Sequence, residues 1–150
     1  MTTNKSVEFI KALAVDSRVL DRLSMMPFSA TGTRRICLHE TEAAPLHAML
    51  VESVAESRFP GHFHSDSDEV TIAIKGRLEI FVWDGGLKEK PSRLVLGSGD
   101  DEVKIAFVPK HTPHITKALG GNCVYLEVKL GPFKKDALVQ INPADLSGID

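Results

Sequence analysis

The sequence predicts an all-β fold, a small antiparallel barrel or double sheet, with a short helical arm at its N-terminus. Two observations support this prediction. Residues 6 to 26 carry apolar side chains at helical spacing. After about Arg34 the chain becomes a series of short segments rich in β-branched and aromatic residues, separated by glycine-containing turns. The predicted strands are 34–39, 46–54, 70–75, 78–83, 93–96, 103–108 and 123–130. Closely spaced strands of this kind are typical of closed or double-sheet antiparallel folds.

The N-terminal arm is predicted to hold two short helices, with Ser6 and Asp16 as their N-caps. Pro27 and Gly32 end the helical pattern. We therefore divide the chain into a helical arm, 1–33, and a barrel, 34–150. The segment from Lys134 onward has little pattern and is expected to wrap the barrel.

Composition describes an ordinary folded domain of 150 residues with 43% hydrophobic and 25% charged residues. The net charge is −2 and no stretch is rich in lysine and arginine, which argues against nucleic acid or an anionic membrane as a partner. No stretch approaches the roughly 18 apolar residues of a membrane-spanning helix, and the N-terminus lacks the pattern of a signal peptide. We expect a cytoplasmic protein with a small-molecule ligand.

Histidines are concentrated in two clusters, each at a turn between predicted strands. His62 and His64 are two residues apart, so an extended backbone points both to the same side. Glu69 opens the next strand, on a face that continues with small side chains. His114 follows a later strand, in a loop that two prolines stiffen. These four residues are predicted to meet at one site.

Three imidazoles and one carboxylate suit iron, manganese, nickel or zinc better than magnesium or calcium. Without a thiolate the set is a poor match for a closed structural zinc site, and it leaves positions open for water or substrate oxygens. The alternative is four unrelated turn residues. We predict one divalent metal ion bound by His62, His64, Glu69 and His114.

The spacing of these residues resembles the two motifs of the cupin superfamily. His62-x-His64, four residues, Glu69, six residues and Gly76 match the first motif, and Pro109 with His114 match the second. The resemblance implies a single small cupin domain, a double-stranded β-helix or jelly-roll barrel, with these residues as metal ligands. The chain departs from the motifs at non-ligand positions, which are Glu56, His111 and Ala118.

His111 stands where the second motif usually has glycine. Such a turn often needs positive φ, which histidine tolerates better than most residues. Its imidazole is a candidate catalytic acid or base, or a spare ligand; the alternative is a solvent-facing loop residue.

A narrower resemblance covers most of the chain. Residues 34–39, 46–50 and 125–133, together with the first motif, look like the WbuC-type cupin-fold metalloproteins. That family is found with bacterial genes for O-antigen and other surface polysaccharides. The resemblance implies a carbohydrate-related ligand and a role in polysaccharide biosynthesis, without naming a reaction.

Alternation in the last long strand leaves Tyr125, Glu127 and Lys129 on one face. If that face is the lumen, Glu127 becomes a candidate general base; if it is solvent, the three form an ordinary polar exterior. Arg35 and His39 also share a face, as a grip for an anion or, in the reading we favour, as part of a strand-edge salt bridge.

Cys37 and Cys123 are expected to be buried free thiols, although the sequence alone leaves a disulfide open.

Two classes of function are compatible with this sequence. The first is a metal-dependent enzyme acting on a sugar or sugar-nucleotide derivative by isomerase, epimerase or lyase chemistry, with Glu127 or His111 moving a proton. An iron-dependent dioxygenase is a variant of it. The second is a binding module that holds its ligand through the metal without turnover. A homodimer is expected, because exposed sheet edges are commonly paired.

Overall fold

The computed structural model describes residues 5–149, which form eleven strands, one α-helix and two short 3-10 turns. The helix α1 spans Ser17–Met25. The strands are β1 (Val7–Phe9), β2 (Thr33–Cys37), β3 (Leu46–Ser53), β4 (His62–His64), β5 (Glu69–Lys75), β6 (Arg77–Val82), β7 (Ser92–Gly97), β8 (Ile105–Val108), β9 (His114–Ala118), β10 (Cys123–Leu130) and β11 (Leu138–Gln140). The 3-10 turns span Lys135–Ala137 and Pro143–Asp145.

The strands form two sheets that enclose the core. One sheet has the order β1-β2-β3-β10-β5-β8 and the other has the order β11-β4-β9-β6-β7. Every strand pair is antiparallel except β1 with β2. Leu78, Ile80 and Leu96 of the second sheet are fully buried between the two layers. The predicted all-β double-sheet architecture is confirmed.

Side chains on the inner face of the first sheet lie in rows that run across its strands. The residues of each row are opposite one another in the strand register. They are the Lys129 row (His47, Lys129, Glu69), the Glu127 row (Cys37, Met49, Glu127, Thr71) and the Tyr125 row (Arg35, Val51, Tyr125, Ala73). Successive rows are two residues apart along each strand, so they follow one another through the interior.

Helix α1 packs on the outer face of the first sheet. Asp16 caps its N-terminus as predicted, accepting hydrogen bonds from the backbone N–H groups of Arg18 and Val19 at 3.0 and 3.3 Å. Leu23, on the buried side of the helix, joins a second apolar cluster with Ile36 and Leu50. Strand β3 is therefore buried on both faces over most of its length.

The prediction of a helix that begins at Ser6 is wrong. Residues Val7–Phe9 instead form strand β1, which pairs parallel to β2 with Val7 opposite Arg35 and Phe9 opposite Cys37. The unpaired edge of β2 offers backbone hydrogen bonds to this segment. Pairing with that edge stabilises the segment more than a short helix would, because a few apolar residues at helical spacing favour a helix only weakly. This segment thus extends the first sheet.

Three further strands were not predicted, namely β4, β9 and β11. Each has five residues or fewer, and β4 and β9 carry the histidines that we expected to find in turns and loops. The final segment, expected to wrap the barrel, supplies the edge strand β11, which pairs with β4. Between residues 5 and 149, no helix has the length and apolar character needed to cross a bilayer.

Candidate metal centre

The four predicted ligands meet at one buried point. One ligand atom from each of His62, His64, Glu69 and His114 lies within 4.8 Å of all the others. The three histidines belong to β4 and β9 of the second sheet, whereas Glu69 opens β5 of the first. The cluster therefore bridges the two layers of the fold.

Strand geometry explains this convergence. Alternation along β4 buries His62 and His64 and leaves Phe63 partly exposed between them. His114 lies directly opposite His62 in the β4–β9 pair. The connecting loops are tied together, because the backbone N–H of His111 donates a hydrogen bond to the carbonyl of His64 at 2.7 Å. Both histidine segments are thus held in register by backbone hydrogen bonds.

Hydrogen bonds to backbone carbonyls orient two of the imidazoles. Nδ1 of His62 donates to the carbonyl of Pro60 at 2.8 Å, and Nδ1 of His114 donates to that of Thr112 at 3.0 Å. With the proton on Nδ1, the Nε2 lone pair of each ring is free to bind an ion. A hydrogen bond that fixes the ring through its other nitrogen is typical of metal-ligating histidines.

His114 Nε2 supplies direct evidence that the cluster suits a cation. Among residues 5–149 it is the buried side-chain polar atom that lacks a hydrogen-bond partner. It lies 3.7 Å from Oε1 of Glu69, too far for a hydrogen bond, while Nε2 of His64 approaches Oε2 of the same carboxylate at 2.9 Å. An orphaned buried polar atom costs about 1–3 kcal/mol. A bound metal ion would satisfy it.

The protonation states also fit a metal. Burial, followed by the proximity of His114, lowers the pKa of His62 to about 4, and burial lowers the pKa of His114 as well. Burial alone would raise the pKa of Glu69, but the hydrogen bond from His64 and the neighbouring positive charges outweigh it and bring that pKa to about 2. Near neutral pH His62 and His114 are therefore neutral and Glu69 is ionised, the forms in which these groups bind a metal.

A cavity of about 100 Å³ adjoins the cluster. Tyr125, Glu127 and Lys129 of β10 all line it, so the polar face of this strand is the lumen, the first of the two alternatives. The complete lining is Thr33, Arg35, His47, Met49, Val51, Phe59, His62, His64, Glu69, Thr116, Tyr125, Glu127, Lys129, Phe133 and Leu138. His47, Phe59 and Thr116 were not predicted to line the site. For His47 a signal existed, because alternation along β3 places it on the same face as Met49 and Val51.

Glu127 and Lys129 are two of the ionisable residues that line this cavity. Their side chains are 20% and 12% exposed, and Lys129 Nζ lies 3.9 Å from Glu127 Oε1. Burial, reinforced by repulsion from Glu69, raises the pKa of Glu127. The cavity thus contains a carboxyl group whose proton is held more tightly than usual.

Arg35 and His39, predicted to share a face, are used differently. Arg35 lines the cavity. The ring of His39 stacks on His47 with centroids 4.0 Å apart and hydrogen-bonds through Nδ1 to the backbone of Ala48. The strand-edge salt bridge that we favoured is wrong, because Arg35 takes part in none of the ion pairs formed within residues 5–149.

His111 has the positive φ that its place in the second motif predicts, 64°. Glu56, which departs from the first motif, also has a positive φ, 60°. However, the His111 side chain is exposed and belongs neither to the cavity lining nor to the ligand cluster. Its proposed role as acid, base or spare ligand gains no support from this placement.

Cys37 and Cys123 are buried and unpaired, as expected. Burial raises the pKa of Cys37 to about 11 and that of Cys123 to about 12. Neither thiol is in the form that binds metal or attacks an electrophile near neutral pH.

Comparison with solved structures identifies the fold. Oxalate decarboxylase from Bacillus subtilis is similar, with a TM-score of 0.58 and 21% identity over 73% of this chain and 27% of that protein. KdgF from Halomonas sp. has a TM-score of 0.52 and 23% identity over 70% of this chain and 83% of its own. CapF, solved with the inhibitor 3-isopropenyl-tropolone, has a TM-score of 0.62 and 12% identity over 79% of this chain and 34% of its own.

These three proteins are cupins, and the predicted small cupin barrel is thereby confirmed. At such identities the likeness establishes the fold alone, and this chain spans about a quarter of the oxalate decarboxylase subunit. The resemblance to WbuC-type proteins stays a prediction.

Sequence comparison adds a family. None of the curated proteins matches the sequence. A family model described as a domain of unknown function, DUF6016, matches residues 15–90, which is just over half of the chain and includes His62, His64 and Glu69. The chain therefore belongs to the DUF6016 family.

Proposed function

We propose that this protein is a divalent-metal-dependent enzyme that acts on a small oxygen-rich molecule by isomerase, epimerase or lyase chemistry. The observation that carries the proposal is the shared cavity. Glu127, a carboxyl group with a raised pKa, lines the same space as the metal-ligand cluster. A metal site and a proton carrier facing one small volume are the minimum that such chemistry requires.

His62, His64, Glu69 and His114 would hold the ion. When bound, it would act as a Lewis acid toward adjacent substrate oxygens. The Mn(II) centres of Bacillus subtilis oxalate decarboxylase, whose fold this chain shares, support a divalent metal here. Iron, nickel and zinc fit the same nitrogen and oxygen donors.

Glu127 is the residue that we expect to move a proton. It stands one row deeper in the barrel than Glu69 and faces the lumen. A raised pKa brings its proton affinity closer to the range in which a carboxyl group serves as both acid and base. Lys129, 3.9 Å away, stabilises the carboxylate once the proton has left.

The cavity volume limits the ligand. At roughly 10–15 Å³ per water-sized position, about 100 Å³ accommodates a molecule on the order of ten non-hydrogen atoms. A monosaccharide derivative or hydroxy acid fits, whereas the nucleotide part of a sugar nucleotide would have to remain outside. The resemblance to WbuC-type proteins implies the carbohydrate class and a role in bacterial surface polysaccharide metabolism.

A non-catalytic binding module is the second candidate. One observation favours it: His111, one of the two candidate acid/base residues, lies outside the cavity. Such a module would use the same residues to hold its ligand without turnover.

Elemental analysis of protein purified without an affinity tag tests the metal. We expect near-stoichiometric metal in the wild type and in His111→Ala, which removes an exposed imidazole, and loss of metal in His62→Ala and His114→Ala. Metal retained in both of these variants, or none in the wild type, would refute the assignment.

Catalysis is tested by incubating metal-loaded protein with small sugars and sugar acids and following products by NMR. Glu127→Gln should keep the metal while turnover falls at least about 100-fold, the usual contribution of a general acid or base. Binding without turnover by the wild type would favour the binding module.

A further inference from the structure

The cavity has a second polar end, away from the metal-ligand cluster. Arg35 lies in the Tyr125 row, two rows from the Lys129 row that contains Glu69. Two rows correspond to roughly 13 Å along the strand direction. Arg35 and Glu69 nevertheless line the same cavity, so both face the space that a ligand would occupy.

The guanidinium of Arg35 is free to bind a ligand. Its neighbour Arg34, on the opposite face of β2, is held by Glu52 at 2.7 Å. Arg35 has no carboxylate within the 4.0 Å of an ion pair among residues 5–149. A planar guanidinium presents paired N–H donors that match a carboxylate or a phosphate. The guanidinium N–H donors of Arg35 are therefore available to an anion in the cavity.

The charge of the cavity indicates how anionic the ligand is. Arg35 and Lys129 are cationic, and Glu69 and Glu127 are the acidic residues of the lining. With a divalent ion bound, positive charges exceed negative charges by two even when both carboxyl groups are ionised. An enclosed site of this kind favours a dianion over a neutral polyol.

We propose that Arg35 is the anion-recognition residue of this cavity, and that the ligand is a small hydroxy acid carrying a second anionic group, a carboxylate or a phosphate, at the end distant from the metal site. This inference rests on the proposed function and narrows its substrate class. The hydroxy acid head supplies adjacent oxygens for the metal end, and the second anion pairs with Arg35.

Three commercially available probes separate the two ends. Malate and 2-hydroxybutyrate share the hydroxy acid head and differ in having a carboxylate or a methyl group at the far end, and 3-phosphoglycerate places a phosphate there. Their affinities for Zn²⁺-loaded protein are measured by isothermal titration calorimetry. We expect the wild type to bind malate, 3-phosphoglycerate or both at least about tenfold more tightly than 2-hydroxybutyrate; which of the two wins identifies the anion.

The Arg35→Met variant should lose this tenfold preference while its affinity for 2-hydroxybutyrate stays within about twofold of the wild type. Arg35→Lys should keep part of the preference, because lysine retains the positive charge but lacks the paired N–H donors of the guanidinium. Arg18→Met, which removes an exposed arginine of α1, is the matched control and should keep the preference in full.

Wild-type protein that shows no preference for a dianion, or Arg35→Met protein that keeps it, would overturn the inference. The wild-type comparison stands even if Arg35→Met fails to fold. Failure of the proposed function has a different signature, namely protein that takes up no Zn²⁺ or binds none of the three probes.

Discussion

His114→Leu should separate the contribution of His114 to stability from its contribution to metal binding. The imidazole is 1% exposed, so an ordinary truncation here would cost several kcal/mol. Leucine fills a similar volume and removes the orphaned Nε2, whose burial costs about 1–3 kcal/mol. The substitution also loses the hydrogen bond from Nδ1 to Thr112, worth about 1 kcal/mol. Without metal, the variant should therefore be as stable as the wild type or more stable by up to about 2 kcal/mol.

Metal should stabilise the wild type more than the variant. At a free concentration of 100 times Kd, an ion that binds only the native state stabilises it by about 2.7 kcal/mol. The wild type should gain this amount, and His114→Leu, which lacks one of four ligands, should gain less than about 1 kcal/mol. The His111→Asn variant, which keeps a residue that tolerates positive φ, should respond to metal like the wild type.

Urea denaturation followed by tryptophan fluorescence, with Zn²⁺ or with EDTA, measures these differences. Trp83 is the protein's single tryptophan, is 2% exposed and donates a hydrogen bond to the Ser147 carbonyl, so its emission reports unfolding. Two results would contradict these expectations: metal-free His114→Leu that is less stable than the wild type by about 3 kcal/mol or more, or metal that stabilises both proteins equally.

Three further predictions concern stability and assembly. Burial lowers the pKa of His62 from 6.5 to about 4, so between these pH values His62 is protonated in the unfolded chain and neutral in the native state. The free energy of unfolding of the metal-free protein should therefore fall by about 3 kcal/mol from pH 6.5 to pH 4. Urea midpoints that stay constant across that range would contradict this. Glu52→Gln removes one partner of the buried pair with Arg34, so the free energy of unfolding should fall by about 3–5 kcal/mol; a loss below 1 kcal/mol would show that the pair is effectively solvated. Ile105 and Phe107 are 57% and 59% exposed on β8, the edge strand of the first sheet, so we expect a second copy of the chain to cover them. Light scattering should give a dimer for the wild type and a monomer for Phe107→Glu, and a monomeric wild type would exclude this interface.

Features that short-range geometry determines were predictable from the sequence. His62 and His64 are two residues apart, so an extended backbone alone places both side chains on one side. Glu69 follows after a four-residue turn, which keeps it close to the two histidines. The boundaries of β10 were predicted without error for the same reason, since its alternating residues are contiguous in the chain.

Features that depend on distant partners could not be read from the sequence. Alternation in β10 separated Glu127 from its apolar neighbours, but which face was interior depended on the register with β3 and β5. Val7–Phe9 became a strand because β2 offered an open edge. The strand-edge salt bridge favoured for Arg35 required an acidic side chain nearby, and only the fold shows that none of those described lies within ion-pair distance.

The division of the ligands between the two sheets has a mechanical consequence. Strand β4 has three residues and pairs with β9 through a single residue pair, His62 with His114. An ion held by these histidines and by Glu69 would fasten this short strand, and β11 beside it, to the opposite layer, much as a cross-link would. Metal occupancy would then set how often this margin of the barrel opens, and amide hydrogen exchange across β4 and β11 should slow when the ion binds while that of β6 and β7 stays constant.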